Sequence, residues 1–283
     1  MGINRVGVIG TGLMGRGIAH AFAVNGFEVD LYGHSDGFRK KILEYIEYEE
    51  KKQRITKKQA QNILSNLNFL SIKNDHKELM TRELVIETIK EDKEIKKKLL
   101  KLIDENTKEE VIIASNTSTF SITELASVTT KPNRVIGMHF FSPVPQMKLV
   151  EIIKAYRTSK NVVEKIEKVV NEINKSPRVV NDSPGFVMSR LFVPFINEAV
   201  ILLSQGFAEN AETIDEIMKY GLNLKIGPLR LADLTGIDTI YYSMLSLYEN
   251  LNDPKYRPAT ELKMMVDAGY LGRKSGKGFY EYR

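Results

Sequence analysis

A glycine-rich turn between a strand and a helix constrains this chain more than any other feature of its sequence. An apolar run at 5–10 leads into the pattern GxGxxG, and apolar residues then recur at helical spacing as far as Asn25. In this context the first glycine permits a tight turn, the second lets a pyrophosphate approach the backbone, and the third packs helix against strand. The helix N-terminus offers free N–H groups to phosphate. The predicted dinucleotide contacts are Gly10, Thr11, Gly12, Leu13, Met14 and Gly15.

Strand and helix patterns alternate after this turn. Short apolar runs predict strands at 27–32, 84–87, 111–114, 134–137 and 149–153. The segments between them favour helices at 38–67, 93–106, 123–127 and 161–174, the first being two helices joined near Thr56, a plausible N-cap. This alternation predicts an α/β fold with a Rossmann-type, mainly parallel, doubly wound sheet.

The composition changes after Pro184. The remainder of the chain is helical without clear strands, with helices predicted at 186–205, 212–221, 231–250 and 259–268. The first of these helices is so apolar that we expect it to be buried, partly against a second subunit. The sequence therefore predicts a dinucleotide-binding domain at 1–184 and an all-helical dimerisation and substrate domain at 185–283.

Charge and composition exclude several function classes. The net charge is +5, but 36 acidic residues are interspersed with 41 basic ones, and neither a recognition helix nor an aromatic stacking motif points to nucleic acid. The chain has no cysteine, which excludes disulfides, thiolate zinc sites and cysteine nucleophiles, and we predict no metal. No apolar run reaches the roughly 18–20 residues of a membrane span, and no signal-peptide pattern opens the chain. We expect a cytoplasmic protein without a membrane partner.

The end of the second predicted strand bears on the cofactor. An acid usually stands there to bind the adenosine ribose, and this chain has Gly33, followed by His34 and Ser35. Asp30 and Asp36 lie three residues too early and three too late. Without a carboxylate that would repel a 2′-phosphate, these residues favour NADP, with NAD as the alternative.

Three polar residues predict chemistry at the carboxyl edge of the sheet. Ser118 closely follows one predicted strand, His139 ends the next, and Glu151 stands twelve residues beyond that histidine. Oxidation of an alcohol needs a base for the hydroxyl proton, and imidazole suits this near neutral pH. A buried carboxylate can fix the tautomer of the ring and stabilise its charged form. We therefore predict that these three residues are catalytic.

Motifs along almost the whole chain resemble the 3-hydroxyacyl-CoA dehydrogenase family, which includes bacterial 3-hydroxybutyryl-CoA dehydrogenases. They are VIGTGLMGRGIA (8–19), VIETIKED (85–92), SNTSTFSITELA (115–126), GMHFFSPVPQMKLVE (137–151), DSPGFVMSR (182–190), INEA (196–199), KYRP (255–258) and LGRKSGKGFYEY (271–282).

The resemblance implies a homodimeric enzyme that interconverts a 3-hydroxyacyl thioester and its 3-oxoacyl thioester, as a 3-hydroxybutyryl-CoA dehydrogenase does. It implies that His139 is the general acid/base, that Glu151 is its partner, and that Ser118 bonds the substrate oxygen. Ser189 stands where the family has an asparagine that helps to fix the catalytic geometry. The residues expected near the cofactor from this resemblance are Glu91, Lys96, Ser118, Ser142 and Lys274.

The sequence departs from the family on the substrate side. Ser142 and Ser189 replace asparagines, the family's NHPMGPL is NLKIGPL at 223–229, and the helical arm around 45–60 is shorter than usual. These changes leave open a hydroxyacyl group, such as glyceryl, carried on an acyl carrier protein. A further alternative is a catalytically inactive homologue that binds the cofactor, although the joint presence of Ser118, His139 and Glu151 argues against it.

Overall fold

The structure, a computed structural model, describes residues 2–34 and 37–282. The chain divides into two compact units, Met1–Asp182 and Ser183–Arg283. Each unit buries a hydrophobic cluster of its own.

The first unit is an eight-stranded sheet with flanking helices. Its strands are β1 (Arg5–Ile9), β2 (Glu28–Gly33), β3 (Leu67–Ser71), β4 (Leu84–Glu87), β5 (Ile112–Ser115), β6 (Val135–Phe140), β7 (Leu149–Lys154) and β8 (Ser176–Asn181). Its α-helices are α1 (Leu13–Val24), α2 (Phe38–Lys51), α3 (Lys57–Ser65), α4 (Lys93–Glu105), α5 (Ile122–Ala126) and α6 (Lys160–Glu172). The strand order is β3-β2-β1-β4-β5-β6-β7-β8, and only the β6–β7 pair is antiparallel. The predicted mainly parallel sheet is confirmed.

The strand order reverses its direction of growth at the glycine turn. Strand β1 lies between β2 and β4, so the chain winds outward from β1 in one direction and then in the other. Ligands of such sheets bind at this switch point, outside the carboxyl ends of the strands. The glycine turn follows β1 and therefore lies at this point.

Two strands are absent from the sequence prediction. Both β3 and β8 are outer strands of the sheet, and most of their residues are half-buried or exposed. An outer strand that is partly open to solvent lacks the continuous apolar run of a central parallel strand. A continuous apolar run therefore predicts the inner strands but not β3 or β8.

The second unit is helical among its described residues. It contains α7 (Met188–Ser204), α8 (Ala211–Leu222), α9 (Pro228–Thr235), α10 (Ile237–Leu251) and α11 (Thr260–Asp267). The single helix predicted over 231–250 is wrong, because Gly236, with φ of 104°, ends α9 and starts α10. None of the helices described in either unit is both long and apolar enough to cross a membrane.

Candidate active site

The glycine turn presents backbone donors at the start of α1. Gly10 adopts φ of 119°, a conformation that favours glycine, and its N–H donates to the Tyr32 carbonyl at 3.0 Å. Gly12 is the N-cap of α1 and brings no side chain to cap the first N–H groups. These donors, at the positive end of the helix dipole, suit a phosphate.

The space around the three glycines differs. A Cβ atom on Gly15 would lie 1.9 Å from the Gly10 carbonyl oxygen, and one on Gly10 would lie 2.5 Å from Thr88 Oγ1. A Cβ on Gly12 would meet no described atom within 4 Å. Gly10 and Gly15 are thus required by packing within the turn, whereas Gly12 opens onto free space. Free space beside uncapped helix donors fits the pyrophosphate of a dinucleotide.

The end of β2 has a packing reason to lack a carboxylate. Gly33 is buried, and a Cβ atom there would lie 2.3 Å from Cδ1 of Phe38, whose ring fills the space. His34 is exposed, whereas Ser35 and Asp36 lie outside the described residues, so the predicted contact of Ser35 has no structural account here. The glycine therefore reflects the Phe38 ring as well as any preference for a cofactor.

Asp30 has a structural role within the sheet, in contact with Arg82 and Asn68. Its buried carboxylate lies 2.9 Å from Arg82 Nε and accepts a hydrogen bond from Asn68 at 3.0 Å. Burial raises the pKa of Asp30 above its ordinary value, against the opposing effects of these partners.

Ser118, His139 and Glu151 come together at the carboxyl end of β5 and β6. The antiparallel β6–β7 pair places His139 opposite Glu151, so that two residues twelve positions apart in the sequence become neighbours. His139 Nδ1 lies 2.8 Å from Glu151 Oε2, and His139 Nε2 lies 3.0 Å from Ser118 Oγ. The histidine and the glutamate are buried, and Ser118 is half-buried. The tautomer favoured by the carboxylate has Nδ1 donating to Glu151, so that Nε2 can accept a proton.

Glu91 holds the turn that carries Ser118. Its Oε1 atom accepts from the N–H groups of Ser118 at 3.0 Å and Thr119 at 3.2 Å, and also from the Thr117 hydroxyl. The side chain of Glu91 is 37% exposed, which leaves part of the carboxylate open to a ligand.

The side chain of Lys96 is fully buried. Its ammonium lies 2.7 Å from Glu87 Oε1 and 3.3 Å from Glu91 Oε2. Glu87 is a site residue that sequence reasoning missed. The signal was an acid at the end of the otherwise apolar strand LVIE, whose four residues are all buried.

Ser142 lies in the exposed turn that follows His139 and its two phenylalanines. The buried Lys175 holds this turn by donating to the carbonyls of Val144 at 2.6 Å and Met147 at 2.8 Å. Burial lowers the pKa of Lys175 to about 8, and the nearby charge of Lys148 acts in the same direction.

The remaining two predicted site residues belong to the second unit. Ser189 is half-buried in the first turn of α7. The ammonium of Lys274 lies 2.6 Å from each carboxylate oxygen of Asp238. The first unit therefore brings together Ser118, His139, Glu151, Glu91 and Lys96, and the second unit carries Ser189 and Lys274.

Known proteins match both units. The family model "3-hydroxyacyl-CoA dehydrogenase, NAD binding domain" matches residues 5–183, and the model of the C-terminal domain of the same enzymes matches residues 185–282. A 3-hydroxybutyryl-CoA dehydrogenase of Clostridioides difficile is 43% identical over 98% of this chain and 99% of its own, and one of Bradyrhizobium diazoefficiens is 41% identical over 99% and 96%. The crystal structure of an (S)-3-hydroxybutyryl-CoA dehydrogenase from Ralstonia eutropha is 44% identical and superposes with a TM-score of 0.93 over 99% of both chains.

These matches confirm the resemblance found in the sequence motifs, and they extend over both units. The chain therefore belongs to the 3-hydroxyacyl-CoA dehydrogenase family of oxidoreductases, which act on CH–OH groups.

Proposed function

We propose that this chain interconverts 3-hydroxybutyryl-CoA and acetoacetyl-CoA with a nicotinamide cofactor. The observation that carries the proposal is the hydrogen-bonded chain from Ser118 Oγ through the His139 ring to Glu151, in the same sheet as the glycine turn. The substrate is inferred from the relatives at 43% and 41% identity, which are named for this activity. The acyl-carrier-protein substrate and the inactive homologue gain no support from any of these comparisons.

The side chains divide the work of alcohol oxidation. His139 Nε2 takes the proton of the substrate hydroxyl, and Glu151 holds the ring and stabilises the imidazolium that forms. The Ser118 hydroxyl donates to the substrate oxygen as its bond to carbon gains double-bond character. The glycine turn and the first N–H groups of α1 would hold the dinucleotide, which accepts hydride from the substrate when bound.

The test of the reaction is the oxidation of NADH or NADPH that depends on acetoacetyl-CoA. Loss of a general acid/base typically costs about 10²–10⁴-fold, and we expect His139→Ala to lower kcat by that amount while the Kd of the cofactor stays close to that of the wild type. His76→Ala is the matched control, since His76 follows β3, an outer strand that β2, β1, β4 and β5 separate from β6. Retained activity in His139→Ala would remove the proposed acid/base role.

For the cofactor we propose a preference for NADP over NAD. The support is Gly33, which provides no carboxylate to repel a 2′-phosphate at the end of β2. Comparison of kcat/KM for NADPH and NADH measures the preference directly, and a strong preference for NADH would contradict the proposal. Since an aspartate at position 33 would meet the Phe38 ring, the variant to make is Gly33→Asp with Phe38→Ala. Compared with Phe38→Ala alone, it should shift the preference toward NADH.

We further propose that residues 1–184 form the dinucleotide-binding domain and that residues 185–283 form a dimerisation and substrate domain. The second unit supports self-association because it exposes many large apolar side chains, among them Leu191, Phe207, Ile217, Tyr220 and Leu222. Large exposed apolar surfaces usually mark interaction sites.

A further inference from the structure

We propose that Lys175 is a positioning residue for the acid/base, His139, and that it acts through segment 141–148. This segment joins β6, which carries the histidine, to β7, and its first residue is Phe141. The proposal rests on the proposed function, since it takes His139 as the group that exchanges a proton with the substrate.

The backbone of Lys175 is held between two elements of the first unit. Its N–H donates to the carbonyl of Val170 in α6 at 3.1 Å, and the next residue, Ser176, begins β8. Ser176 in turn donates its N–H to the carbonyl of Lys148 at 2.7 Å, at the end of the segment. The base of the Lys175 side chain is therefore fixed relative to that end.

The ammonium of Lys175 holds the middle of the segment by two hydrogen bonds. It donates to the carbonyls of Val144 at 2.6 Å and Met147 at 2.8 Å, and the residue is buried. Burial lowers the pKa of Lys175 to about 8, so the group is still mostly protonated near pH 7. Hydrogen bonds from a charged donor are stronger than those from a neutral one. Loss of this donor would release two carbonyls of one short segment.

Packing against α1 also restrains the segment. Val144 is buried, and a Cβ atom on Gly17 would lie 2.9 Å from the Cβ atom of Val144. The absence of a side chain at Gly17 thus lets Val144 pack closely against the helix that begins at the glycine turn. Segment 141–148 therefore links that helix to the strand that carries His139.

The first residue of the segment contacts the acid/base. The ring centroids of Phe141 and His139 lie 4.5 Å apart, and the ring planes are inclined by 52°. The two nitrogens of the buried His139 ring lie within hydrogen-bond distance of Ser118 and Glu151. The contact with Phe141 adds an apolar restraint to these two polar ones. Displacement of the segment should move the Phe141 ring and let the imidazole tilt away from Ser118 and Glu151.

The activity test uses Lys175→Met, which keeps a long unbranched side chain but removes the N–H donors. A displacement of about 1 Å can cost about 10²-fold in rate, and we expect kcat for acetoacetyl-CoA to fall at least about 10-fold at saturating NADPH. The Kd of NADPH should stay within about threefold. Lys168→Met is the matched control, because Lys168 is an exposed lysine of α6 that pairs with Glu172. A normal kcat in Lys175→Met would overturn the proposal.

Lys175→Gln is the second variant, for the case that Lys175→Met does not fold. Its shorter amide side chain can still donate to one of the two carbonyls, so its kcat should lie between those of the wild type and Lys175→Met. A wild-type kcat in Lys175→Gln would overturn the proposal.

A double-variant cycle separates positioning from a general loss of structure. In a Phe141→Leu background, either change at Lys175 should cause almost no further loss of kcat, because both changes remove the same restraint on His139. Fully additive losses would overturn the proposal.

A proton resonance of the His139 ring gives a readout that needs no substrate. An aromatic ring at 4.5 Å shifts the signal of a neighbouring proton, and the His139 Cε1–H signal is identified as the one missing from His139→Ala. We expect this signal to move in Lys175→Met in the same direction as in Phe141→Leu. An unchanged signal in Lys175→Met would overturn the positioning role. If the wild-type chain fails to reduce acetoacetyl-CoA, the proposed function fails, and this signal still decides whether Lys175 places the Phe141 ring.

Discussion

Gly12 and Gly15 stand three residues apart in one turn, yet their surroundings are opposite. A methyl group on Gly15 would collide with the backbone oxygen of Gly10, which belongs to the turn itself and cannot move aside. A methyl group on Gly12 would point into space that no described atom fills. Folding thus requires glycine at position 15, whereas at position 12 glycine leaves space for a ligand.

The two alanine variants should therefore fail in different ways. We expect Gly15→Ala to lower the free energy of unfolding, measured in urea, by at least about 1–3 kcal/mol, the usual cost of overpacking. Gly12→Ala should leave unfolding within about 0.5 kcal/mol of the wild type, as for an open surface position, while the KM of the cofactor rises several-fold. A normal KM in Gly12→Ala would show that the pyrophosphate does not approach this glycine.

At the scale of elements, a polar contact joins α1 and α2. The buried His20 of α1 lies 3.0 Å, through its Nδ1 atom, from the hydroxyl of Tyr45 on α2. Burial lowers the pKa of His20 to about 4, and the charge of Lys175 acts in the same direction. Burial also raises the pKa of the Tyr45 hydroxyl. Both groups are therefore neutral in the folded protein near pH 7.

This contact predicts a loss of stability in mild acid. Between the ordinary pKa of 6.5 and the folded value of about 4, the unfolded chain binds a proton at His20 that the folded chain does not. The free energy of unfolding therefore decreases as the pH is lowered through this window. For this group the decrease is about 2 kcal/mol between about pH 7.5 and about pH 5. His20→Gln can keep the hydrogen bond to Tyr45 and should remove that part of the slope in urea titrations.

His76→Gln serves as the control for this measurement, because His76 is only half-buried. It should keep the slope of the wild type. Equal slopes in His20→Gln and the wild type would mean that His20 titrates normally in the folded protein.

The arm formed by α2 and α3 shows which features of an element can be predicted from its local sequence. Thr56 is the N-cap of α3, as predicted, and forms a capping box in which its side chain accepts from the Gln59 N–H while Gln59 accepts from the Thr56 N–H. The bounds of α4 and β4 were also predictable within a residue, because their apolar spacing is regular. The outer strands β3 and β8 were not, because partial exposure removes that spacing.

At the scale of the whole molecule, the exposed apolar side chains of the second unit are the feature that supports the proposed homodimer. A groove of 990 Å³ lies beside α7 and α11, and its lining combines apolar side chains, such as Leu191 and Met264, with charged ones, such as Glu198 and Glu261. Leu191 is 69% exposed. A second copy of the chain would cover this surface in the proposed homodimer.

Leu191→Glu should convert the proposed dimer to a monomer, because a carboxylate that is covered by the second copy would lose its water. Light scattering on a gel-filtration column measures the mass. Tyr156→Glu is the matched control, since Tyr156 is 90% exposed on the first unit. A monomeric wild type would contradict the dimer itself, and a dimeric Leu191→Glu would place the interface elsewhere.

The sequence by itself determined the fold class, the dinucleotide turn and the Ser118–His139–Glu151 set. Each of these depends on a local pattern. The patterns are the alternation of strand and helix, the spacing of the glycines, and the polar residues at the ends of buried strands. Only the tertiary structure showed that the Phe38 ring fills the space beside Gly33 and that Lys96 faces Glu87 and Glu91. These contacts depend on which side chains are buried against each other. That is set by the packing of separate elements, because a buried charge is tolerated only where the fold brings it a partner.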